Sequence, residues 1–172
     1  VFKEKLQLVK DSKFLIAVSG GVDSMVLVNL FKKSDLNFSV AHCNFKLRSE
    51  ESDLDQAFVK SWAVDNNQKY YSTSFDTKEF CRYNKVGTQE GARKLRYEWF
   101  YDLKEIYGFD YIVTAHHLND QIETYLINSM RGTGLSGLVG IPEKTDNLFR
   151  PLLNISKTEI EEYAINNKIQ FR

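Results

Sequence analysis

Two short stretches concentrate the side chains that can do chemistry. In Thr114-Ala115-His116-His117-Leu118-Asn119-Asp120-Gln121-Ile122-Glu123, two imidazoles, two amides and two carboxylates follow an apolar run. On a helix, Asp120 and Glu123 lie three apart and share a face, with Cβ atoms roughly 5–6 Å from each other, so the two acids can jointly hold an ammonium group. His117 or His116 beside them can act as a base. The competing readings are a capped helix with solvated acids and a zinc site. Adjacent histidines, however, lack the His-Glu-x-x-His spacing that aims two rings at one ion.

The second stretch, Ser19-Gly20-Gly21-Val22-Asp23-Ser24, stands between an apolar run and a helical pattern. Backbone N–H groups and a helix N-terminus converge there on a position that suits an anion, and the glycines let the backbone approach phosphate closely. Ser19 and Ser24 can add hydroxyl donors. No lysine follows and the loop is short, so it is not a Walker nucleotide site. Asp23 beside a polyphosphate would be repulsive unless it held Mg2+; the plain alternative is a helix cap. Arg93 and Arg96 share one stripe of a later helix and suit phosphate or developing negative charge, and Lys46 and Arg48 add basic surface. Gly132-Thr133-Gly134-Leu135-Ser136-Gly137 has the dinucleotide-binding pattern but follows a helical run instead of a strand, so it reads as a helix end and a loop.

Strands and helices must alternate to position these groups. Phe14 to Val18, Phe38 to Cys43, Tyr70 to Phe75 and Tyr111 to Ala115 read as strands. Helical spacing runs over 24–33, 53–66, 88–107 and 120–130. The expected core faces are Leu54, Ala57, Phe58, Ser61 and Trp62 in the second of these helices, and Ala92, Leu95, Trp99, Leu103 and Ile106 in the third. Ser156-Lys157-Thr158-Glu159 is a capping box that opens a last helix. The fold class expected is α/β: an open, mostly parallel twisted sheet with helices on both faces, binding its ligand at the carboxyl ends of the strands.

The 172 residues suit one domain, 1–172, and 23 basic against 23 acidic side chains give no overall attraction to a polyanion. Any nucleic-acid contact must therefore be local. Cys43 and Cys81 form no paired or metal-binding pattern, no apolar run reaches membrane-spanning length and the start is no signal peptide, so a cytoplasmic protein without membrane contact is expected. The first residue is not Met and the chain stops soon after a helix, which reads as a fragment of a longer protein.

The loop Ser19 to Ser24 resembles the pyrophosphate loop of the N-type ATP pyrophosphatases, a group with an adenine nucleotide alpha hydrolase-like fold; the resemblance implies cleavage of ATP at the α-phosphate. Together with His42 to Ser52, Glu90 to Phe100, Thr114 to Thr124, Arg131 to Ile141 and Arg150 to Leu153, nearly the whole chain is similar to the catalytic domain of the tRNA(Ile)-lysidine synthetase family. Phe45 departs from the pattern, standing where a histidine is common. The resemblance implies that ATP and Mg2+ are used to adenylate the wobble cytidine of an isoleucine tRNA with a CAU anticodon, and that free L-lysine then displaces AMP. It places ATP on Ser19, Gly20, Gly21, Val22, Asp23 and Ser24 and lysine or ATP handling on Asp120 and Glu123; the chemistry of the side chains themselves adds Mg2+ on Asp23 and catalytic roles for Arg93 and His117. C-terminal tRNA-binding domains would lie beyond the residues given, and a homodimer is compatible with it. A tRNA thiolase, an amidotransferase-linked synthetase and a non-catalytic ATP-binding module are the rival readings; a thiolase would need a reactive cysteine.

Overall fold

A computed structural model describes residues 11–130 and 140–172. Five parallel strands form one sheet in the order β3-β2-β1-β4-β5, with β1 Phe14–Ala17, β2 Phe38–Asn44, β3 Lys69–Ser74, β4 Tyr111–Val113 and β5 Leu148–Phe149. The helices are α1 Val22–Lys33, α2 Glu50–Asp65, α3 Thr77–Asn84, α4 Thr88–Tyr107, α5 Leu118–Met130 and α6 Lys157–Asn166. None of the described helices is long and apolar enough to cross a membrane.

Period-two alternation in β1 divides the core. Phe14 and Ile16, with Val18 beyond the strand, pack on α1, α2 and α6 through Phe31, Val59 and Ile160. Leu15 faces the other way, onto Ala41, Ile112 and the α4 residues Phe100 and Leu103. Each such side chain contributes about 1.5–3 kcal/mol by leaving water. Both faces of the sheet are thus covered, as continuous apolar strands require.

The helix faces depart from simple periodicity. In α2 the buried residues are Val59 and Ala63, with Phe58 and Trp62 partly covered, whereas Leu54 is 48% exposed and Ala57 and Ser61 face solvent. Polar partners explain the rotation, because Gln56 accepts from Asn44 Nδ2 at 2.9 Å and Asp55 accepts from Arg48 at 2.8 Å. In α4, Gly91, Phe100 and Leu103 are buried and Ile106 is 70% exposed. The expected capping box is present: Glu159 N–H donates to Ser156 Oγ, and Ser156 N–H to the Glu159 carboxylate.

The connections run outward from β1 through β2 to β3 and then return to β4 on the opposite side of β1. That reversal opens a crevice at the carboxyl ends of β1 and β4, the place where open α/β sheets bind ligands. Both chemically dense stretches begin there.

Candidate active site

Gly20 has φ +96°, a backbone conformation that side chains rarely adopt, and it lets the chain leave β1 and turn into α1. Serine hydroxyls fix the turn. Ser24 Oγ donates to the Gly21 carbonyl at 2.9 Å and accepts from Gly20 N–H at 3.2 Å; Ser19 Oγ accepts from Gly21 N–H and lies 3.2 Å from Ser24 Oγ. Met25 N–H makes the first helical bond, to the Gly21 carbonyl, so the Val22, Asp23 and Ser24 amides form the positive end of α1. A Cβ placed on Gly21 would meet only Ser19 Oγ, at 3.5 Å, which leaves the outer side of the loop open to a ligand.

This loop forms one wall of a cleft of about 260 Å³. The other walls include Arg96 and Phe100 from α4, His116 and His117 after β4, and Asp120 of α5. Asp120 Oδ2 accepts from His117 N–H at 2.8 Å, so one oxygen caps α5 while the carboxylate still lines the cleft. His117 sits between two acids, with Nδ1 3.4 Å from Asp120 and Nε2 3.9 Å from Asp23. The His117 Nδ1 contact with Asp120 lacks hydrogen-bond geometry, and that nitrogen has no hydrogen-bond partner among the described residues.

His116 is held differently. Its Nδ1 lies 2.7 Å from Thr114 Oγ1. Burial, followed by the nearby Arg150 charge, depresses its pKa to about 4, with Asp120 opposing and Arg96 and Arg93 adding to the depression. It is therefore a neutral imidazole at physiological pH and a weak base. Arg96 Nε is buried without a hydrogen-bond partner among the described residues, which leaves a guanidinium facing the cleft with capacity for an anion. Arg93 lies outside the lining, exposed, with its guanidinium 5.0 Å from the Tyr97 ring. Glu123 is on the exposed part of α5 and also outside the lining. Residues 132–137 lie outside the described residues.

Three further side chains join the candidate residues at the site. Lys157 Nζ donates to Asp23 Oδ1 at 2.6 Å. Phe45 lines the cleft and stacks on Phe75 with ring centroids 5.7 Å apart. Cys43 also reaches the lining; burial raises its thiol pKa to about 12, with Arg96 partly opposing. Of these, Lys157 had a usable signal: a lysine at the first position of a capped helix opposes the helix dipole and calls for a compensating acid. Arg48 turns to Asp55, in a second hollow that Ser19, Gly21, Glu51 and Arg172 also line.

Residues 1–172 match the family model described as a PP-loop domain. The tRNA(Ile)-lysidine synthase of Porphyromonas gingivalis is 41% identical over 163 residues, covering 94% of this chain and 36% of that protein. The protein of the same name from Bacteroides thetaiotaomicron is 40% identical over 161 residues, covering 94% and 38%. The chain thus spans a little over a third of the length of these curated relatives. The solved structure of the U34-tRNA thiolase NcsA from Methanococcus maripaludis, with its 4Fe-4S cluster, superposes with a TM-score of 0.79 over 99% of this chain and 64% of that chain. Sequence identity there is 17%, so the likeness is one of fold.

Proposed function

This chain belongs to the PP-loop domain family, and we propose that it joins free L-lysine to C2 of the wobble cytidine of a CAU-anticodon isoleucine tRNA, using ATP. The observation that carries this reading is the cleft in which the Ser19–Ser24 loop faces Asp120, with His117 between Asp23 and Asp120. Similarity to lysidine synthases along nearly the whole chain supports the choice of substrates.

In the proposed reaction the cytosine O2 attacks the α-phosphorus of ATP and pyrophosphate leaves. The ε-amine of lysine then attacks C2, the C2–O bond breaks and AMP departs. The loop amides and the α1 N-terminus bind the departing phosphates. Arg96 offsets charge that develops on the phosphate oxygens, and Arg93 supports it from the rim.

Mg2+ typically takes one or two carboxylates together with phosphates and water. Asp23 fits that role, and among the described residues no cluster of three or more His, Cys, Asp or Glu could hold a metal alone. When bound, the ion supplies charge neutralisation at the phosphates.

Lysine must arrive as an ammonium ion and react as an amine, since its side-chain pKa is about 10.4. Asp120, which lines the cleft, attracts the ammonium form, and Glu123 adds its charge from outside the lining. The proton is assigned to His117, which stands against the Asp120 and Asp23 carboxylates, in preference to the weakly basic His116. Labelled lysine supplied with Mg-ATP and CAU-anticodon isoleucine tRNA should be incorporated by the wild type, and Asp120→Asn should lower incorporation by about tenfold or more. Unchanged incorporation in the variant would remove Asp120 from the reaction.

A further inference from the structure

The N-termini of three helices are tied together over Asp23. α1 begins at Val22, one residue before it. Leu118 N–H, at the start of α5, donates to the Ile155 carbonyl just ahead of α6. Lys157 N–H, at the start of α6, donates to Asn119 Oδ1 at 3.0 Å. Each helix start carries partial positive charge. Lys157 adds a full positive charge at the point where a helix tolerates it least, and its ammonium closes on Asp23 at 2.6 Å with both side chains about two-thirds covered. The backbone bond to Asn119 holds the lysine's Cα in place, while its four side-chain torsions leave the ammonium free to change partner.

We infer that Lys157 is a phosphate ligand held in reserve: it neutralises Asp23 while the nucleotide is absent and transfers to the ATP phosphates when they enter. The inference rests on the ATP-using reading above and extends it to a residue outside the glycine loop. Its physical basis is charge balance. A polyanion entering this cleft meets the Asp23 and Asp120 carboxylates. With Asp23 turned to a metal ion, Lys157 would lose its carboxylate partner at a partly buried position, and the phosphates are the anions within its reach. A lysine serving only as a fixed structural partner of Asp23 would lose its purpose once that carboxylate was removed. A phosphate ligand would keep it.

A double-mutant cycle read by calorimetric binding of α,β-methylene ATP separates the two. Without Mg2+, Asp23→Asn removes a repulsion and should bind the analogue at least as tightly as the wild type. Adding Lys157→Ala to Asp23→Asn should then weaken binding by about tenfold or more, the scale of a charge-assisted bond. With Mg2+, Lys157→Ala alone should weaken binding similarly, and Lys157→Arg should restore most of the loss. Equal affinities for Asp23→Asn and the double variant would overturn the inference and leave the ATP-using reading standing. A wild type that binds no analogue with Mg2+ would overturn both.

Discussion

Lysine ligation and sulfur transfer make opposite demands on Cys43. It lines the cleft, and its thiol pKa is raised from the 9.0 of a free thiol to about 12. Three pH units reduce the thiolate population at neutral pH about a thousandfold, and the thiolate is the reacting species. A more basic thiolate is also more nucleophilic, with a Brønsted slope of about 0.4–0.5, which returns a factor of about 16 to 30. The net expectation is alkylation about 30- to 60-fold slower than for a free cysteine. Site-resolved modification by iodoacetamide at pH 7.5, followed by peptide mass spectrometry, measures this directly. Cys43→Ala should retain lysine incorporation. Alkylation of Cys43 at the free-thiol rate, or a folded Cys43→Ala protein without activity, would refute the reasoning and favour sulfur chemistry.

His116 makes stability depend on pH. Its folded pKa of about 4 lies below the ordinary 6.5, so between these values the unfolded chain binds more protons and stability rises with pH. The contribution is complete above about pH 6.5, and up to about 3 kcal/mol is lost as pH falls toward 4. Urea unfolding at pH 5 and 7 should show a smaller difference in His116→Gln than in the wild type; equal differences would show that His116 does not carry the effect. At the junction of α3 and α4, a Cβ on Gly91 would lie 2.3 Å from Cys81 Sγ. Gly91→Ala should cost about 1–3 kcal/mol in urea unfolding, and Cys81→Ala should recover much of it. A Gly91→Ala protein of undiminished stability would disprove the tight contact.

Legibility in the sequence followed the kind of interaction that holds each element. β1 and β2 were readable as continuous apolar runs because both their faces are covered. The loop after β1 and the His-His segment after β4 were readable as one site because a parallel sheet brings carboxyl ends together. The inward face of α2 was hidden because Asp55 and Gln56 turn inward to polar partners instead of apolar ones. β5, two residues long, is too short for any periodicity to register. Helix α3, eight residues long, shows only its cap in the sequence, where Asp76 accepts from Glu79 N–H. Lys157 pairs with Asp23 across 134 residues, and only the packing of α6 beside α1 brings them together.

The most direct test of the proposed chemistry is to follow each phosphate of ATP on CAU-anticodon isoleucine tRNA. With lysine withheld, label from α-phosphate-labelled ATP should become attached to the tRNA and label from γ-phosphate-labelled ATP should not. Lysine should then release that label as AMP, one for each lysine incorporated. Formation of ADP, or AMP release without lysine entering the tRNA, would contradict the account.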